Sequence, residues 1–264
     1  MTTTEIDAGR VVTSEVGGLS VRCLEGGSGA PLVMLHHSFG GVGWSPFCEG
    51  LAGGFSVLAP DLPGFGGSSR PVWARDVRDL ALLVGWWLRG LDRGPVTMVG
   101  CGFGGWVGLE LATMCPELFS GLALVGSAGL LPEGGRILDQ VLISHGEYVR
   151  AAFSSPEAYE SVFGPDLSDE LLVRWDRNRE MVARVAWKPY MYNRRLAPLL
   201  QLVEVPALVV WGELDAVVPL ECGEALAELL PQGRLEVVAG CGHAVDLEAP
   251  AVLAGLVSAH VSGS

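Results

Sequence analysis

The chain has 264 residues, 49% of them hydrophobic and 18% charged, with a formal net charge of −13. That much apolar sequence supports a large buried core and excludes a disordered chain. The acidic balance, with no Lys/Arg-rich run, lacks the electrostatic footprint of nucleic-acid or anionic-membrane binding, so the expected partner is a small molecule.

The N-terminal stretch MTTTEIDAGR has no basic region followed by an apolar one, so no secretory signal is expected. The longest uncharged stretch, 26–48, is broken by Gly, Ser, Pro and two histidines and does not make the ~20-residue apolar run that spans a bilayer. Cys23, Cys48, Cys101, Cys115, Cys222 and Cys241 form no C-x-x-C pair. Reduced thiols, a cytoplasmic location, no metal and no cofactor are the expectation. The 37 glycines follow no Gly-X-Y period, which assigns them to turns.

In chain order, 10–15 and 19–25 are short β-branched segments separated by Gly17-Gly18, the pattern of an edge hairpin. Continuous apolar runs follow at 31–35, 55–59, 95–99, 122–125 and 207–211, as expected of strands buried on both faces. Between and after them, 74–89, 104–114 and 219–230 carry apolar residues at helical spacing, and a strand at 234–238 and a helix near 249–260 close the chain. Strands alternating with helices predict an α/β chain with a doubly wound, mostly parallel sheet. The stretch 131–198 contains no convincing strand but has amphipathic pieces such as 137–153 and 170–186. It reads as a helical cap inserted into a core formed by 1–130 and 199–264. Its aromatic and Met residues either line a pocket or pack the cap onto the sheet.

Ligands of an open parallel sheet sit beyond the carboxyl ends of its strands. The segments there are Leu35-His36-His37-Ser38-Phe39-Gly40-Gly41, Val99-Gly100-Cys101-Gly102-Phe103-Gly104-Gly105-Trp106, Trp211-Gly212-Glu213-Leu214-Asp215 and Gly240-Cys241-Gly242-His243. With Asp61-Leu62-Pro63-Gly64-Phe65-Gly66-Gly67-Ser68, they resemble the α/β-hydrolase fold family in order and spacing. The cap segment Ala186-Trp187-Lys188-Pro189-Tyr190-Met191 and the closing Glu248 and Pro250 look most like its capped carbon–carbon bond hydrolases and esterases. The resemblance implies an eight-stranded sheet with helices on both faces. It also implies a His243–Asp215 dyad and an oxyanion hole built from the Phe103 N–H and one N–H of the His37-Ser38 stretch. His36, Trp187 and Tyr190 are the expected substrate contacts.

One position departs from the family. Its nucleophile elbow reads G-x-S-x-G, whereas here the nucleophile position is Gly102, so the usual acyl-enzyme cannot form. Cys101 precedes the apex and faces elsewhere in a tight turn, which makes it a structural cysteine. Backbone oxyanion donors need no serine side chain, and one is worth ~3–4 kcal/mol of transition-state stabilisation. A base with an oxyanion hole suits enolate chemistry: elimination, retro-aldol cleavage, isomerisation or cyclisation. The leading expectation is a lyase acting on a small carbonyl metabolite, by analogy with acetate-eliminating members of the fold in natural-product pathways. Two alternatives stand beside it. One is an ester or carbon–carbon bond hydrolase whose serine has been replaced, and the other is a ligand-binding protein without turnover. His37, where the family commonly has glycine, is either a second acid, a substrate contact or a packed loop residue.

Overall fold

The computed structural model describes residues 9–263. The chain opens with a hairpin of β1 (Arg10–Val16) and β2 (Leu19–Gly26), with Val16 opposite Leu19. Gly17 and Gly18 take φ of +56° and +77°, the two positive values that a two-residue hairpin turn demands. Next come β3 (Ala30–Leu35), α1 (Pro46–Ala52), β4 (Phe55–Pro60), α2 (Val77–Leu91), β5 (Val96–Cys101), α3 (Phe103–Met114) and β6 (Phe119–Val125). Four helices follow without an intervening strand: α4 (His145–Ala151), α5 (Pro156–Phe163), α6 (Asp169–Ala186) and α7 (Leu196–Leu200). The chain ends with β7 (Ala207–Gly212), α8 (Leu220–Leu229), β8 (Gly233–Val238), α9 (Val245–Glu248) and α10 (Pro250–Ser262).

The strands form one eight-stranded sheet in the order β1-β2-β4-β3-β5-β6-β7-β8. The β1–β2 and β2–β4 pairings are antiparallel and every other neighbour is parallel. Every residue of β5 and β7 is buried, which explains why their sequences are apolar without alternation. At the edges, β1 and β8 alternate with partly exposed positions. One face packs α2, α3 and α8 through Leu80, Val84, Val107, Leu111 and Leu226. The other packs α1 and α10 through Phe47, Leu51, Leu253 and Val257. The sheet is therefore covered on both sides, and only the ends of its strands are open to a ligand.

Two helices begin later than their apolar spacing suggests, for the same reason. The helix expected from residue 74 starts after Asp76, whose carboxylate accepts from the Asp79 N–H while Asp79 reaches back to the Asp76 N–H. The segment 137–153 becomes helical only after Ser144, capped in the same reciprocal way by Glu147. In each case a satisfied cap, worth about 1 kcal/mol, fixes the start that periodicity alone cannot. Residues 131–143 run as a loop, and Leu138 there is held by its N–H on the Val217 carbonyl at 2.8 Å. Within the cap, Phe153, Tyr159, Phe163 and Trp175 pack on one another with ring centroids 5.3 to 5.9 Å apart. Those aromatics make the cap's own core.

Candidate active site

The ends of β3, β5, β7 and β8 bring four loops to one point. Between β5 and α3, Gly102 adopts φ +51°, ψ −110°, a conformation strained for any residue with a side chain. Its N–H is held by the Val125 carbonyl at 2.8 Å, and its carbonyl accepts from the Ala128 N–H at 3.1 Å. The elbow backbone is thus fully formed without a nucleophile on it. Immediately after it, the Phe103 N–H opens α3 and has no partner among the described residues. The positive end of the helix reinforces that N–H as an anion donor.

After β7, the Asp215 carboxylate is fixed by the N–H groups of Val217 and Val218, each 2.8 Å from Oδ1. Its other oxygen accepts from His243 Nδ1 at 2.8 Å. The hydrogen on Nδ1 leaves the lone pair of a neutral His243 on Nε2, which faces Gly102. The histidine loop is tied down by Glu248, which accepts from the Gly242 N–H at 2.8 Å and from the Ser154 N–H at 3.1 Å, and also takes the Ser154 hydroxyl. One carboxylate therefore joins the histidine loop to the segment following α4.

The loop after β3 supplies the unexpected part. His37 Nε2 lies 2.8 Å from Asp246 Oδ1, and both side chains are buried. The ring stacks on Phe39 at 4.9 Å and lies 5.0 Å from the His243 ring. Its Nδ1 is buried and has no hydrogen-bond partner among the described residues. A Cβ on Gly102 would meet this Nδ1 at 2.7 Å and His243 Nε2 at 2.8 Å. Both imidazoles converge on the place a side chain at 102 would take.

Ser38 is also here, its hydroxyl 3.0 Å from that of Tyr148 in α4. Burial raises the Tyr148 phenol well above its ordinary range and keeps it a proton donor. Asn178 of α6 donates to the Phe39 carbonyl at 2.7 Å and accepts from the Gly66 N–H at 3.2 Å. The cap thus touches the loop at two polar points. Asp61 serves the neighbouring turn, accepting from the Gly67 N–H at 2.9 Å and from Arg22 at 3.1 Å.

Of the residues singled out from sequence, Gly102, Phe103, His37, Ser38, Asp215 and His243 come together. His36, Trp187 and Tyr190, the expected substrate contacts, each have other partners in the fold. His36 spends both ring nitrogens on backbone, donating from Nδ1 to the His37 carbonyl at 2.7 Å and accepting at Nε2 from the Leu62 N–H at 3.0 Å. It is a scaffold for the loop. Trp187 is half exposed and lines a cleft with Trp106, Arg78 and Asn193, a group that includes neither His37 nor His243. The Tyr190 hydroxyl donates to the Leu138 carbonyl at 2.9 Å and accepts from the Gln140 N–H at 2.9 Å, pinning the loop 131–143. Burial pushes its phenol up to about 12.

Asp246, Tyr148, Asn178 and Glu248 are the contributors whose roles sequence reasoning missed. Glu248 alone had a sequence signal, its place in the closing motif. Cys101 is fully buried in the α1/α10 core, where desolvation raises its thiol well above the ordinary value, so it offers no thiolate. His37, Cys101 and Asp246 offer donor atoms within 4.8 Å of one another. Within that set, Asp246 is hydrogen-bonded to His37.

A family model described as the alpha/beta hydrolase fold matches residues 31–250. The chain is 30% identical to the 2-hydroxymuconate semialdehyde hydrolase of Pseudomonas sp. strain CF600, covering 91% of this chain and 89% of that protein. It is 29% identical to the 2-hydroxy-6-oxo-6-(2'-aminophenyl)hexa-2,4-dienoic acid hydrolase of Metapseudomonas resinovorans, over 89% and 84% of the two chains. The solved 2-hydroxy-6-oxo-6-phenylhexa-2,4-dienoate hydrolase of Rhodococcus sp. strain RHA1 superposes with a TM-score of 0.75 at 24% identity, covering 96% of this chain and 99% of that one. By the matched model, the relatives and the sheet order, the chain belongs to the α/β-hydrolase fold family.

Proposed function

We propose that this chain is an enzyme that acts on a small carbonyl compound by acid–base rather than acyl-enzyme chemistry, with elimination as the favoured reaction. The observation that carries the reading is the occupation of the nucleophile position. A Cβ on Gly102 would stand 2.7 Å from His37 Nδ1 and 2.8 Å from His243 Nε2, closer than packed atoms approach. The glycine at 102 and the histidine at 37 are complementary in volume. Restoring a serine without moving His37 puts its side chain into the imidazole ring.

In this reading Asp215 fixes the His243 tautomer and stabilises the imidazolium that forms when Nε2 takes a proton from the carbon beside the carbonyl. The Phe103 N–H, with one from the His37-Ser38 stretch, receives the developing enolate oxygen. A β-acyloxy group such as acetate is a suitable leaving group, because it departs as a stable carboxylate. His37, Ser38, Phe103 and His243 are each at most 3% exposed, so a substrate gains access through movement of the cap or its loops.

The names of the relatives favour a second reading. All three are named as hydrolases, two of them of hexa-2,4-dienoic acids, and water activated by His243 would hydrolyse an ester or carbon–carbon bond without a serine. Labelled water separates the two. A β-acetoxy ketone converted in H2-18O to an unsaturated ketone, with unlabelled acetate and no product in His243→Ala, supports elimination. Label in the acetate establishes hydrolysis, and an acetyl adduct on the protein establishes covalent catalysis. Ligand binding that survives His243→Ala, with no product from the unmodified protein, points to a binding protein.

A further inference from the structure

We propose that His37 and Asp246 form a second catalytic dyad, so that the site carries an acid and a base facing one another across Gly102. This rests on the acid–base reading above and deepens it by naming the group that protonates the departing atom.

Four observations bear on it. First, the His37–Asp246 contact has the same 2.8 Å length as His243–Asp215. Second, the two dyads use opposite ring edges. His37 binds its carboxylate through Nε2 and presents Nδ1, whereas His243 binds through Nδ1 and presents Nε2. A carboxylate only accepts, so each neutral ring must direct its lone pair at the same place. Third, His37 Nδ1 is buried and unpaired among the described residues. Leaving a buried polar atom unsatisfied is costly, and such an atom in a native site calls for an occupant. Two facing lone pairs repel when both rings are neutral, and one proton between them removes the repulsion. Fourth, among the described residues no group is hydrogen-bonded to that atom, with the Cys101 thiol within 4.8 Å of the donor atoms of His37 and Asp246. Phe39 stacks on the ring face, and His36 directs its Nδ1 to the His37 carbonyl.

The pair supports a balanced elimination. His243 Nε2 takes the proton from the carbon next to the carbonyl, and the C–H electron pair forms the enolate and then the new carbon–carbon double bond. The bond from the β carbon to the leaving oxygen breaks with its pair on oxygen, and a protonated His37 delivers its Nδ1 proton there. The products are an α,β-unsaturated carbonyl compound and an acid, an alcohol or, from a hydroxide leaving group, water. The enzyme has shifted one proton from His37 to His243, which returns between the facing nitrogens, and no water is consumed. The substrate class is therefore a carbonyl compound with an oxygen leaving group at the β carbon, including a poor one such as hydroxide or alkoxide that needs an acid.

The first test needs no substrate. Long-range 15N–1H spectra of the labelled protein, with the rings neutral, are expected to show the hydrogen on Nε2 of His37 and on Nδ1 of His243. A hydrogen on Nδ1 of His37 overturns the proposal. The second test compares a β-methoxy ketone with a β-(4-nitrophenoxy) ketone in D2O, following both α-deuterium exchange and product.

In His37→Gln and Asp246→Asn, methoxide elimination is expected to fall at least 100-fold, nitrophenoxide elimination less than tenfold, and exchange to persist. In His243→Ala, exchange and both eliminations are lost. An equal loss for both leaving groups in the folded His37 and Asp246 variants, or no loss for methoxide, overturns the second dyad while leaving His243 in place. Absence of exchange and product in the unmodified protein overturns the acid–base reading and the second dyad with it.

Discussion

Asn178, in the cap helix α6, donates its amide to the carbonyl of Phe39 at 2.7 Å, while its own oxygen accepts from the Gly66 N–H at 3.2 Å. One buried side chain thus spans the cap, the loop that carries His37 and Ser38, and the turn after β4. Asn178→Ala leaves the Phe39 carbonyl and the Gly66 N–H unpaired. A loss of about 2 kcal/mol is expected from such a change, and a domain of this size melts roughly 4–8 °C lower for it. Because the freed loop holds His37, turnover is expected to fall along with stability. Calorimetry with steady-state kinetics on the same preparation checks both. An unchanged melting point would mean that the cap is held elsewhere.

Asp215 is fixed from behind by two N–H groups at 2.8 Å, so its carboxylate cannot turn away from His243. Asp215→Asn is expected to keep the fold while presenting a donor to Nδ1, which moves the ring hydrogen to Nε2 and removes the base. A fall in kcat of about 10³ to 10⁴ is the expected scale. Single-turnover measurement, with the near-ultraviolet spectrum as a control for packing, checks it. A less than tenfold effect would remove His243 from the role of base.

The strands were legible in the sequence because the sheet is covered on both faces, so 31–35, 95–99 and 207–211 had to be continuously apolar. That the elbow, Asp215 and His243 would meet was legible from their places after apolar runs and from the order of motifs that resembles the α/β-hydrolase family. The cap was less so. Ile137, Leu138 and Ile143 lie in the stretch 137–153 that reads as an amphipathic helix but pack from a loop, and the Ser144/Glu147 cap that sets the true start of α4 depends on four residues rather than on periodicity. Asp246 reads locally as an acid in the first turn of a short helix. Its partner is 209 residues away, and only the folded sheet puts the ends of β3 and β8 together.

Gly102 and His37 are expected to be coupled energetically. Gly102→Ser places a side chain at positive φ, at about 1–3 kcal/mol of backbone strain, and drives it into both imidazoles. His37→Gly alone leaves Asp246 buried without its partner. Combined, the two changes vacate and refill one space, so the double variant should be more stable than the sum of the single losses, by roughly 0.5–3 kcal/mol. A chemical-denaturation cycle measures the coupling. Strict additivity would show that His37 and residue 102 do not share this space, and would weaken the case that glycine belongs here.

Stability should fall on the acid side of neutrality, and His36 should account for part of that fall. Burial lowers its pKa from the ordinary 6.5, outweighing the opposing influence of Asp61. Its Nε2 must stay unprotonated to accept the Leu62 N–H at 3.0 Å. The unfolded chain therefore binds a proton near pH 6.5 that the folded chain refuses, and the stabilisation is complete above that pH and is lost as pH falls below it. Burial lowers His145 and His260 as well, with the same sign. In the window below 6.5, a single histidine of this kind contributes a slope of up to about 1.4 kcal/mol per pH unit. His36→Gln is expected to lower stability at pH 8 through the lost backbone bonds, yet to flatten the decline between pH 6.5 and 5. Denaturation midpoints of both proteins across that range check the sign, and parallel curves would exclude His36 as a contributor.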